Sequence, residues 1–199
     1  KVQSDTDARL LFYILNNTKD PKAELFVYTD TGKFGQLLRS ANTDETSLLY
    51  KRIDYGNEGG KVKATCLARA YLAFVHGMAI IKEGNKDVMH LSRYDLIDEC
   101  RVAMKPAQAS VDAEAVLQAV GMFINGGRML SLIPPALGLA LRERWTASRR
   151  PFPPKGVVSN VKRYLSTKKD VNEKLNILVQ NRRETTAKLG KAILGYWHK

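Results

Sequence analysis

Several things are scarce in this chain of 199 residues, and each scarcity excludes something. Cysteine occurs only twice, as Cys66 and Cys100, and neither lies in a C-x-x-C pair. A disulfide scaffold and a cysteine-based zinc site are therefore disfavoured. Two core thiols in a reducing compartment are the expectation. Histidine occurs three times, at positions 76, 90 and 198, with no second His and no Cys at helical spacing from any of them. No metal site and no cofactor are expected. A long apolar run is missing as well. The longest stretch, Cys66 to Ile81, is interrupted by Arg69 and His76, and it falls short of the ~20 residues a helical span needs. No leader pattern of charged, apolar and small residues is seen at the start. The expectation is a chain that is neither secreted nor membrane-spanning, in the cytoplasm or associated with a virion.

Catalytic signatures are missing too. Asp30-Thr31-Gly32 has the lettering of an aspartic-protease triplet, but it occurs once. That chemistry needs two carboxylates sharing a proton, so a turn after a strand is the better reading. The stretch from Gly56 to Lys61 lacks the GxxxxGK[ST] spacing, and Gly126-Gly127-Arg128 lacks GxGxxG. Both read as loops. Cys100 with His90 has no motif to support it as a nucleophilic pair. The chain is not expected to be an enzyme.

Acid is scarce where base is plentiful. From Leu141 to Lys199 there are 15 Lys and Arg against four Asp and Glu, a balance of +11. The first 140 residues hold 17 against 16, a balance of +1, so the net charge of +12 is gathered in the last 59 residues. Solubility does not require charge to be sorted in this way, whereas binding a polyanion does.

Hydrophobic periodicity and cap chemistry predict a mainly α protein, two-lobed, with a small β element in the N-terminal lobe. The expected lobes are residues 1–105 and a basic helical lobe at 106–199, divided at Lys105-Pro106. A first helix is expected over 5–17. Ala23 to Tyr28, rich in β-formers, reads as the best strand. A short helix is expected over 33–41, an ambiguous or second-strand stretch over 48–53, and a loop over 57–60. From Val62 or Lys63 to Ile81 the chain reads as one long, mostly buried helix that forms the centre of the core. Residues 92–104 read as a helix capped by Ser92, with Leu96, Ile97 and Val102 facing inward.

Beyond the divide, helices are expected over 112–124, capped by Ser110 or Asp112, and over roughly 136–145, after Pro134-Pro135. An extended segment from Arg149 to Pro154 follows. A short helix over 156–165 precedes a long last helix over 171–196. In that last helix Val171, Leu175, Leu178, Arg182, Thr185, Leu189, Ala192 and Tyr196 step alternately by four and three. Such a stripe packs against the body of the protein or against another chain.

The candidate binding residues come from the basic segment: Arg142, Arg144, Arg149, Arg150, Lys155, Lys162, Arg163, Lys168, Lys169, Arg182 and Arg183, with Trp145 and Phe152 among them. Cations neutralise phosphates and release counterions, and aromatic faces stack on unpaired bases. Arg142 and its neighbours also fit a simpler role as complement to a helix C-terminus. No base-reading module is legible. The expected function is sequence-tolerant binding and coating of nucleic acid, with single-stranded RNA favoured, by a chain that self-assembles as nucleocapsid or coat proteins do. Two alternatives use the same basic face: a peripheral matrix or scaffold protein on anionic membrane, and a double-stranded DNA binder.

Overall fold

The computed structural model describes residues 23–56, 61–77, 79–80, 86–123, 133–148, 186 and 188–191; for 79–80, 86, 122–123, 133 and 144–148 it describes the backbone only. Among these residues the protein is mostly helical. The helices are α1 (Ala23–Thr29), α2 (Lys33–Thr43), α3 (Ala64–His76), α4 (Arg93–Ala103), α5 (Ala109–Phe123) and α6 (Ile133–Ser148). A 3-10 turn covers Val88–His90, and residues 188–191 are again helical. The β structure is small. Strand β1 (Ile53–Asp54) pairs in parallel with β2 (Val62–Lys63), and β3 (Ala79–Ile80) pairs antiparallel with β4 (Lys86–Asp87).

Helix α3 is the centre, because its sequence is apolar nearly all round. Ten of its 13 residues are buried, from Ala64 through Phe74 with Arg69 as the gap. Helices α1, α4, α5 and α6 all pack on it, α6 most extensively. Small residues allow that last contact. A Cβ on Gly138 of α6 would overlap the Ala70 carbonyl of α3, so the two backbones meet where no side chain fits. Phe34 of α2 stacks on Tyr71 of α3, with centroids 5.2 Å apart. One core cluster includes Val27, Leu38, Leu67, Leu96, Leu117, Leu137 and Leu189, so it draws on both sides of the Lys105-Pro106 break.

The structure corrects several expectations. Ala23 to Tyr28 is helix, not strand. Its β-formers are used one by one around a helical turn: Val27 enters the core, while Phe26 and Tyr28 meet Tyr94 and Tyr55. Tertiary contact overrides propensity here. The β pairing lies elsewhere: of the ambiguous residues 48–53, those from 48 to 52 form turns and only Ile53 enters a strand.

The central helix stops at His76, not Ile81. Gly77 has φ 77° and donates its N–H to Ala73 at 2.9 Å, which closes the helix. Ala79 and Ile80 then pair with Asp87 and Lys86. Helix α5 begins at Ala109, so Ser110 and Asp112 lie inside it; the Ala109 N–H is taken by the carbonyl of Pro106 in the preceding turn. Helix α6 begins at Ile133, with Pro134 and Pro135 in its first turn, where a missing N–H has no cost.

Other expectations hold. Helix α2 starts at Lys33. Ser92 caps α4, its Oγ accepting from the Asp95 N–H at 3.2 Å. Leu96 is fully buried and Ile97 packs against the core, but Val102 is 39 % exposed. The buried positions are 96, 99, 100 and 103, a stripe of helical period from which 102 falls away. Both cysteines are buried and free. In the 4–3 stripe of the last segment, Leu189 is 5 % exposed and belongs to the core cluster. A Cβ on neighbouring Gly190 would sit 3.1 Å from Leu139 of α6, so this turn packs on the body. The expected helices at 5–17 and 156–165, the loop at 57–60, the segment from Arg149 to Pro154 and the rest of the last helix lie outside the described residues.

Candidate nucleic-acid interface

Helix α6 leads from the core into the basic segment. Residues 134–138 and 140–141 are buried, Arg142 is half-buried and Glu143 is exposed. Arg142 follows directly on the anchored part, and its Nη1 donates to the Phe74 carbonyl at 3.1 Å and to the Val75 carbonyl. These are end groups of α3, which intrahelical bonds leave open. Arg142 thus complements the C-terminus of α3 and not that of its own helix, which runs on to Ser148.

Arg144 and Trp145 continue the helical backbone of α6 one turn further on. The other candidates, Arg149, Arg150, Phe152, Lys155, Lys162, Arg163, Lys168, Lys169, Arg182 and Arg183, lie outside the described residues. Of the sequence-predicted residues, then, Arg142 alone has a placed side chain, and its Nη1 is engaged internally.

Other cations of the body serve internal contacts. Arg39 Nη1 donates to the carbonyls of Tyr28 at 2.6 Å and Asp30 at 2.9 Å, holding the end of α1. Arg101 grips Asp30 Oδ1 through Nε at 3.1 Å and Nη2 at 2.6 Å. Asp30 is buried while the Arg101 side chain is 52 % exposed. The Asp30 carboxylate also accepts from the Gly32 N–H at 3.2 Å. Asp30-Thr31-Gly32 is therefore a turn, though after a helix and not a strand, and its carboxylate fastens α1 to α4.

The buried thiols are chemically quiet. Burial pushes Cys100 upward, and the nearby charges of Asp30 and Glu99 add to that. Cys66 is raised by burial as well, against a smaller opposing effect of Arg69 and Lys63. A nucleophilic cysteine requires the reverse shift. No group of three or more His, Cys, Asp or Glu side chains able to hold a metal ion occurs among the described residues. Nor is any helix among them long and apolar enough to cross a membrane.

One surface cluster escaped the sequence reading. The Arg93 guanidinium lies 4.9 Å from the ring centroids of both Phe26 and Tyr94. Phe26 meets Tyr94 edge-on at 5.7 Å. Tyr94 is 57 % exposed. Its signal was present in the lettering: Arg-Tyr directly after the Ser92 cap falls outside the buried stripe of α4. Phe26, read as a strand residue, could not be connected to it.

Compared with known proteins, the chain matches no family model, no curated protein and no solved structure.

Proposed function

We propose that this chain binds and coats nucleic acid without sequence preference, single-stranded RNA above all, and self-assembles along it in the manner of a nucleocapsid or coat protein, in the cytoplasm or a virion. The observation that carries this reading is the sorting of charge, +11 over the last 59 residues against +1 over the first 140. The fold is compatible with it: α6 is fixed against α3 by its buried half and carries the chain directly into the basic segment. On this reading the packed body is a rigid mount, and the phosphate contacts come from residues beyond Arg142. Binding is electrostatic and needs no catalytic group.

Absorbance at 260 and 280 nm, with light scattering, tests this on protein purified at low salt and again after a high-salt wash. A high ratio with large, salt-sensitive particles is expected. A low ratio with a small, uniform species that floats with anionic vesicles would replace this reading with the membrane-surface one. Tighter binding to duplex DNA than to single strands in competition would replace it with the duplex one. Arg149→Ala with Arg150→Ala is expected to weaken binding to single strands and to flatten the log–log salt slope by up to about 1.4, for two phosphate contacts. An unchanged slope removes that pair from the interface.

A further inference from the structure

The Arg93–Phe26–Tyr94 cluster has no part in the core, and its geometry is that of a prepared stacking surface. With 100° per residue around α4, the buried positions 96, 99, 100 and 103 centre close to 180° from Tyr94. The ring therefore projects from the side of α4 opposite the core. It is nevertheless held in place. Arg93 Nη2 donates to the Tyr94 hydroxyl at 3.2 Å, its guanidinium lies over the ring, and Phe26 of α1 abuts it edge-on. An aromatic ring fixed in this way, on a residue that is 57 % exposed, loses little freedom when a second planar group stacks on it.

We propose that Tyr94, positioned by Arg93 and Phe26, is a stacking platform for an unpaired nucleobase of a bound single strand. The assignment rests on the nucleic-acid reading above and adds to it a base contact on the body, remote in sequence from the basic segment. The charge around the ring indicates what kind of contact this is. Asp98 and Arg101 share the outer face of α4 with Tyr94, and the Arg101 Nη1 lies 3.9 Å from Asp98. Arg101 is also paired with Asp30. With Arg93 beside the ring, this region holds two guanidiniums, Arg93 and Arg101, against the carboxylates of Asp95, Asp98 and Asp30; it has no surplus of positive charge and suits a base better than a run of phosphates. An unpaired base is the fitting occupant, because every base has a π-face and such stacking is indifferent to sequence.

The test uses the full chain and two labelled oligomers of equal length, an oligouridylate and an abasic strand with the same phosphates. Fluorescence anisotropy across a salt series gives affinity and slope for each. Tyr94→Ala is expected to weaken oligouridylate binding roughly 5- to 150-fold. Its salt slope and its affinity for the abasic strand should stay as in the wild type, and Tyr94→Trp should restore binding. Equal affinity of Tyr94→Ala and wild type for oligouridylate overturns the platform while leaving the nucleic-acid reading intact. So does an equal loss on both oligomers, which would report a general defect. A change in particle size without oligomer would make the ring a contact between copies of the chain, and base stacking would fall. If the wild type binds neither oligomer, the nucleic-acid reading itself fails and the platform goes with it.

Discussion

Helices α3 and α4 pack against each other and have nearly the same length, 13 and 11 residues, yet they do different work. In α3 ten residues are buried; in α4 only Leu96, Glu99, Cys100 and Ala103 are. A helix that is apolar nearly all round has no face left to meet a ligand, and its contribution is to organise its neighbours. A helix with one narrow buried stripe keeps most of its circumference for solvent, and α4 shows Arg93, Tyr94, Asp98 and Arg101 there. A buried hydrogen bond joins the two helices: the Tyr71 hydroxyl donates to the Ala103 carbonyl at 2.9 Å.

That contrast can be broken by experiment. The largest effect is expected in α3. Leu67 is fully buried, so Leu67→Ala should lower stability by about 2–5 kcal/mol through lost burial and the cavity left behind, read as a shift of the denaturant midpoint. A loss under ~1 kcal/mol would mean that α3 is not the centre of the core.

A smaller effect is expected at the join. Tyr71→Phe leaves the Ala103 carbonyl without its donor and should cost about 1 kcal/mol at neutral pH. Burial raises the Tyr71 phenol above its ordinary value, so the sign of the pH effect is fixed. The folded state keeps this proton where the unfolded chain releases it. The stability it contributes is complete below the unfolded value of about 10 and is lost as pH rises beyond it. The gap between wild type and Tyr71→Phe should therefore narrow in alkaline solution. A gap that widens would contradict the burial of this hydroxyl.

The smallest effect is expected on the outer side of α4. Val102→Ala should change stability by no more than about 0.5 kcal/mol, because Val102 is 39 % exposed. A loss comparable to that of Leu67→Ala would show that α4 is covered on that side after all.

How much of this was legible in the sequence depended on how local the cause was. The Ser92 cap and the start of α2 follow from residues a few positions apart, and both were found. So was the burial of Cys66 and Cys100, an intrinsic habit of the residue type. Val102 was misplaced because an apolar residue in an amphipathic helix is not thereby on its buried stripe. The stripe was set by 96, 99, 100 and 103, two of which are Glu99 and Cys100. The candidate interface was legible only as a concentration of charge. Arg142, its one member with a placed side chain, proved to face the carbonyl end of α3, 67 and 68 positions away in sequence.

The sequence alone determined the helical class, the apolar central segment and the gathering of positive charge beyond Leu141, since composition, period and caps act over a few residues. Only the tertiary structure decided that Ala23–Thr29 is a helix, that α3 stops at His76 with Gly77 as its cap, and that Arg39, Arg101 and Arg142 hold helix ends together. It also brought Phe26 to Arg93 and Tyr94. In each of these cases the deciding partner is distant along the chain or is a specific backbone geometry. Residue propensity carries no information about which distant carbonyl, ring or carboxylate the fold brings within reach.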